Sequence, residues 1–268
     1  RRTMNNNERR TKGLELLSKV NNKSEDEIMK MLSFISPVSD DLKNYIIDYS
    51  FGDIYSRTGL DLKSKEIAVV AAMTALGNCT PQLKIHIAGA LNTGSSAEEI
   101  IEVILQMSAY AGFPRCINAM ISLNEVFKEF KITNQISSDS YDTNSSGNER
   151  MKKGEIELNN LFPGQINILN DTLGKISPDL VKFIIEFGYG DIYSRNILSK
   201  KHRQTATIAA LTAMGNSVSQ LKFHIKAGIN IGLKAEEINE IMLLMSVFAG
   251  FPSAINGTIA LKDVLDNM

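Results

Sequence analysis

One place in this 268-residue chain combines side chains able to move protons. Glu66 lies in the apolar run KEIAVVAAM at 65–73, where an unpaired carboxylate is costly to bury. A buried Glu66 needs a partner, and His86 is the natural candidate. Glu and His within reach of each other form a general acid–base pair able to titrate near neutrality. The alternative leaves Glu66 exposed in a first helical turn, where it favours the helix dipole, and makes His86 a hydrogen-bonded core residue. Further along, His224 and Gln204 repeat the arrangement with an amide in place of the carboxylate. An amide neither takes up nor releases a proton in this pH range, so carboxylate-dependent chemistry is expected to be absent there.

Arg57 and Arg195 close two GDIYSR segments. A guanidinium in such a position can clamp a carboxylate through two hydrogen bonds. Asp53 and Asp191, four residues earlier, offer an intrahelical pairing instead. Tyr55 and Tyr193 read as packing residues, as do Phe113 and Phe251 in the two Gly-Phe-Pro corners, while Asn118 and Asn256 are polar positions in apolar helices. Cys79 and Cys116 have Ser217 and Ala254 as their later counterparts, and two cysteines do not make a disulfide framework for a chain of this size. Three histidines, with no Cys-x-x-Cys, leave too few soft ligands for zinc. No metal and no cofactor is expected.

The elements that must position these residues come as a duplication. FGDIYSR at 51–57 returns as YGDIYSR at 189–195, GNCTPQLKIH at 77–86 as GNSVSQLKFH at 215–224, and AGFPRCIN at 111–118 as AGFPSAIN at 249–256. The offset is 138 throughout, and residues 51–120 share 36 identities in 70 positions with those 138 further on. Each copy has a leader, ERRTKG ending at Gly13 and ERMKKG ending at Gly154. Between them, KITNQISSDSYDTNSSGN at 131–148 has the composition of a flexible linker. The expected domains are 1–130 and 149–268.

Within each copy the periodicity is helical. The run from Ser64 is apolar nearly all round and stops at Gly77-Asn78, as a helix inside a bundle would. Thr80 can cap the next helix, with Pro81 in its first turn. Ser96 to Glu99 forms a capping box ahead of a helix with Ile100, Ile101, Ile104, Leu105 and Ser108 on one face. Pro114 starts a last helix through Phe130. The class is all-α, with helix-on-helix packing.

Composition narrows the function. With 29 basic against 30 acidic residues and a net charge of -1, no basic stripe marks a nucleic-acid binder. No apolar run reaches the 18 residues or so that a membrane-spanning helix needs. The N-terminus lacks the apolar stretch of a secretory signal, so Met4 reads as the natural start behind Arg1–Thr3, and a cytoplasmic protein is expected.

GDIYSR, the helix with Lys65-Glu66, the GN-turn-QLK-His86 segment, Gly94 with AEEIIEV, and Tyr110-Ala-Gly-Phe-Pro114 together resemble the carboxymuconolactone decarboxylase family, in order and twice over. The resemblance implies a duplicated helical-bundle domain like that of alkylhydroperoxidase D, in a homo-oligomer: a trimer imitating a hexamer. It implies a cofactor-independent decarboxylase of a carboxymuconolactone-like lactone acid, with His86 and Glu66 catalytic and Arg57, Cys79 and Gln82 at the substrate. His224, Gln204 and Arg195 are the second-copy equivalents. Alkylhydroperoxidase D itself uses two thiols, and counting back from His86 puts Cys79 at the first and Gln82 at the second, with Ser217 and Gln220 in the later copy. A one-cysteine peroxidase and a noncatalytic oligomeric binding protein are the alternative readings.

Overall fold

The computed structural model describes residues 4–132 and 142–268. Arg1–Thr3 and half of the expected linker, residues 133–141, lie outside the described residues. In the first half α1 (Asn6–Asn21), α2 (Glu25–Leu32) and α3 (Asp40–Tyr45) lead into a π-helical segment, Ile46–Tyr55. Then follow α4 (Leu62–Leu76), α5 (Thr80–Asn92), α6 (Ala97–Gln106), the short α7 (Ser108–Ala111) and α8 (Phe113–Glu129). The second half runs α9 (Gly147–Leu161), α10 (Gln165–Leu169) with a π-helical turn at Asn170–Gly174, and α11 (Pro178–Phe183) leading into a π-helical Ile184–Tyr193. It closes with α12 (Lys200–Met214), α13 (Val218–Asn230), α14 (Ala235–Phe248) and α15 (Phe251–Asp266). Among the described residues there is no strand, and no helix long and apolar enough to cross a membrane.

Local chemistry sets these boundaries. Asp61 caps α4 through the Ser64 amide, and Gly77, at φ 74°, ends it in the left-handed conformation open to glycine. The capping box at Ser96–Glu99 forms with both of its bonds. One detail differs from expectation: Thr80 is already inside α5, and Cys79 precedes the helix without a side-chain cap. The leaders end in glycine because α1 and α9 lie directly against the π-helical backbone. A Cβ on Gly13 would stand 2.1 Å from the Ile47 carbonyl oxygen, and one on Gly154 2.0 Å from that of Ile185.

α4 is buried from Ser64 to Ala75 and α12 from Arg203 to Ala213, because each is the other's main neighbour. A continuous apolar core therefore runs through both halves. Their contacts are reciprocal. Arg57 pairs with Glu240 as Arg195 pairs with Glu102, and Tyr49 meets Phe251 as Phe187 meets Phe113. Ser64 and His202, equivalent positions, touch each other at 3.3 Å. That is the signature of a local twofold axis, here relating two halves of one chain.

Candidate active site at the junction of the halves

The π-helical segment widens the backbone just before the loop to α4, and its last residue, Tyr55, turns its ring under that helix. There the Tyr55 hydroxyl donates to Glu66 Oε1 at 2.8 Å, while His86 Nδ1, from α5, lies 2.8 Å from Glu66 Oε2. Glu66 is wholly buried and His86 is 8% exposed, so the pair reaches solvent through the imidazole. The buried reading of Glu66 is the one realised. Both carboxylate oxygens are held, which meets the cost of burying it. Burial, reinforced by the Glu66 charge, drives Tyr55 well above the usual phenol range, so it remains a donor. A Cβ on Gly89 would stand 2.8 Å from Glu66 Oε2, so the glycine leaves room for the carboxylate.

Lys65, next to Glu66, turns away from it. Its ammonium caps the end of the π-helical segment through the carbonyls of Tyr55 and Arg57 at 2.8 and 2.5 Å. Burial lowers its pKa to about 8. Over the imidazole lies a residue of the other half: Phe248, at the end of α14, meets the His86 ring edge-on with centroids 5.0 Å apart.

The corresponding place in the second half is built differently. His224 Nδ1 lies 2.9 Å from Gln204 Oε1, and Tyr110, from the first half, brings its hydroxyl to 3.2 Å from His224 Nε2 and 2.9 Å from the Tyr193 hydroxyl. Tyr193 continues the network to Thr207, and Thr207 to Gln106. Both ring nitrogens are engaged, and burial depresses the His224 pKa to about 3. This imidazole is neutral at physiological pH.

Other expectations are redirected. Arg57 does not pair with Asp53, because Arg9 takes that carboxylate through Nε and Nη2. Arg150 does the same with Asp191. Arg57 instead spends Nε and Nη2 on Glu240 across the junction, at 2.8 and 2.7 Å. The two-pronged clamp proposed for a ligand is therefore occupied by the protein, and Arg195 is held in the same way by Glu102. Gln82 is exposed in the first turn of α5, one turn before His86. The Cys79 thiol faces the Met73 carbonyl at 3.7 Å, and burial raises its pKa, opposite to what a nucleophilic thiol needs. Asn118 and Asn256 are exposed. Phe113 and Phe251 do not fill their corners but lie largely exposed, leaning on aromatics of the opposite half. A cavity of about 510 Å³ opens elsewhere, beside Arg150, Lys153, Glu157 and Asp191, with no histidine among the described residues that line it.

Sequence reasoning took Tyr55 for a packing residue and gave no role to Tyr110, Phe248 and Glu102. The signal for Glu102 was present: it and Glu240 stand at the same repeat position inside apolar helices. Arg203, wholly buried, joins Arg195 on the Glu102 carboxylate at 2.8 Å.

The family model of the carboxymuconolactone decarboxylase family matches residues 40–125 and 178–263, spanning the Glu66–His86 pair in one segment and Gln204–His224 in the other. The chain belongs to this family, as a tandem member. About half of it, 48%, aligns with 94% of the 4-carboxymuconolactone decarboxylase of Acinetobacter baylyi at 32% identity over 129 residues. One such protein thus corresponds to one half of this chain. The nitrosuccinic acid decarboxylase of Metarhizium robertsii is 33% identical over 76 residues, 28% of this chain and 52% of that protein. A crystal structure from Burkholderia xenovorans, of a protein proposed to be a gamma-carboxymuconolactone decarboxylase subunit, superposes with a TM-score of 0.58 at 23% identity and covers 99% of both chains. That likeness bears on the fold.

Proposed function

We propose that this chain is a cofactor-independent decarboxylase of a lactone acid of the carboxymuconolactone type, with one working site per chain, at Glu66–His86. The observation that carries the reading is the buried contact of His86 Nδ1 with Glu66 Oε2, which leaves Nε2 as the nitrogen for chemistry. Loss of carbon dioxide from such a lactone breaks the bond to the carboxylate carbon and sends its electron pair through the double bond toward the ring carbonyl. A donor at that carbonyl stabilises the developing charge, and an acid must then return a proton to carbon. His86 Nε2 serves as donor and acid. Glu66 orients the ring, stabilises its protonated form and exchanges the proton, while Tyr55 holds Glu66. Arg57, tied to Glu240, acts by fixing the junction and not as a two-pronged carboxylate clamp.

The second site has neither a carboxylate nor a free imidazole nitrogen, which supports its assignment as inactive. The test is ultraviolet-monitored turnover of γ-carboxymuconolactone by wild type and His86→Ala. Activity lost in the variant is expected, and unchanged turnover would sink the assignment.

The same reading includes a trimer of chains imitating a hexamer. Phe113, Ile117 and Ile121 on α8 are each more than half exposed, and so are their counterparts Phe251, Ile255 and Ile259 on α15. An apolar ridge displayed twice at one spacing fits repeated contacts in a closed ring. Sedimentation equilibrium should give three chains per particle, and a monomer at micromolar concentration would refute it.

A further inference from the structure

The two candidate sites are related by the local twofold axis in such a way that each receives one aromatic residue from the other half. Phe248 meets His86 with ring centroids 5.0 Å apart and planes at 89°, and Tyr110 meets His224 at 5.2 Å and 79°. The two aromatics are equivalent positions of the repeat and are posed alike. They differ by one hydroxyl, and in the second site that hydroxyl reaches His224 Nε2. In the first site the ring edge offers nothing for Nε2 to bond. Phe248 also stands 6.3 Å, edge-on, from Tyr55, the residue that holds Glu66. The same ring therefore borders the imidazole and its supporting phenol.

We propose that Phe248, contributed by the half without a working site, is a positioning residue of the Glu66–His86 site: it fixes the imidazole plane while keeping Nε2 unoccupied for substrate. This inference rests on the decarboxylase reading for its catalytic consequence, but its physical content stands on the two rings alone. Tyrosine at this position is the off state of the same device. Its hydroxyl, bonded to Nε2, takes the place a substrate carbonyl would need, as that of Tyr110 does at His224 while giving its own proton to Tyr193.

The experiment compares Phe248→Tyr and Phe248→Leu with wild type in the full chain. The first variant adds only the hydroxyl that the opposite half already accommodates, so folding is preserved. The second keeps an apolar side chain without the hydroxyl. Two readouts are taken: imidazole nitrogen NMR of His86 across pH, and kcat and KM on γ-carboxymuconolactone. Phe248→Tyr is expected to shift the His86 Nε2 resonance, because the added hydroxyl engages that nitrogen, and to reduce kcat at least tenfold. Phe248→Leu, which loses the ring edge but leaves Nε2 open, is expected to keep that resonance near its wild-type position and to reduce kcat by less than Phe248→Tyr does. An unchanged Nε2 resonance in Phe248→Tyr would overturn the proposal, and so would equal kcat losses in the two variants. If wild type itself turns over no lactone, the decarboxylase reading fails separately, and the NMR titration still decides the role of Phe248.

Discussion

Acid should weaken this fold through the buried histidine of its second half. His224 is enclosed by Gln204, Tyr110, Tyr193 and Phe223, with no carboxylate against its ring. Burial holds its pKa at about 3, against 6.5 for an unperturbed imidazole. Between those values the unfolded chain binds a proton that the folded chain refuses, so stability is fully present above 6.5 and is lost as pH falls toward 3. Linkage at pH 4.5 gives a loss of about 3 kcal/mol from this group alone, rising to about 5 below pH 3. Urea unfolding of wild type and His224→Gln at pH 7 and pH 4.5 isolates the contribution, because the other titrating groups are common to both proteins. The variant should lose about 3 kcal/mol less than wild type on acidification. Equal losses in the two proteins, or an NMR titration of His224 near pH 6, would refute the reasoning.

Three further outcomes follow from the same geometry. Glu66→Gln gives the first site the pair found in the second, and should cut lactone turnover by about 10²–10⁴-fold, the usual worth of general acid–base catalysis, with the circular dichroism spectrum unchanged. Gln204→Glu places a carboxylate beside His224 and should raise that histidine's pKa by a unit or more, read by NMR without reference to activity. Glu102→Ala leaves the buried guanidinium of Arg203 and that of Arg195 without their shared partner, and should cost about 3–5 kcal/mol in denaturant unfolding.

What could be read from the sequence was whatever depends on short-range spacing or on the cost of burial. The all-α class follows from helical periodicity and the repeat from identities at one offset, while the turn after Leu76 and the box at Ser96 follow from local capping chemistry. The Glu66–His86 contact followed from asking where a carboxylate in an apolar run could find a partner. The π-helical segments were not legible, because IIDYSFGDIY has an apolar pattern that an ordinary helix would also satisfy, and the wider turn comes from packing against α1. The Asp53–Arg57 expectation failed for a related reason. Spacing of four makes a pair only when no better donor approaches, and Arg9 arrives from a neighbouring helix with a bidentate fork. The cross-junction partners of Arg57 and Arg195 lie more than 90 residues away, and only the axis between the halves brings them close.

That axis also explains how one chain can carry two unlike sites. In a symmetric pair of separate subunits, the residue that reaches over the neighbour's histidine is the same in both directions. A tyrosine there would engage both imidazoles, and a phenylalanine would leave both open. Fusion into one chain removes the constraint. Position 110 faces His224 and position 248 faces His86, so tyrosine and phenylalanine can be set independently. Once the second site had no carboxylate, a buried imidazole beside it needed partners for both nitrogens, and Gln204 and Tyr110 provide them. The first site requires an open nitrogen, which only an apolar neighbour leaves. The second half is then no passenger: it holds Arg57 through Glu240 and covers His86 with Phe248, and the Glu66–His86 site is built from residues of both halves.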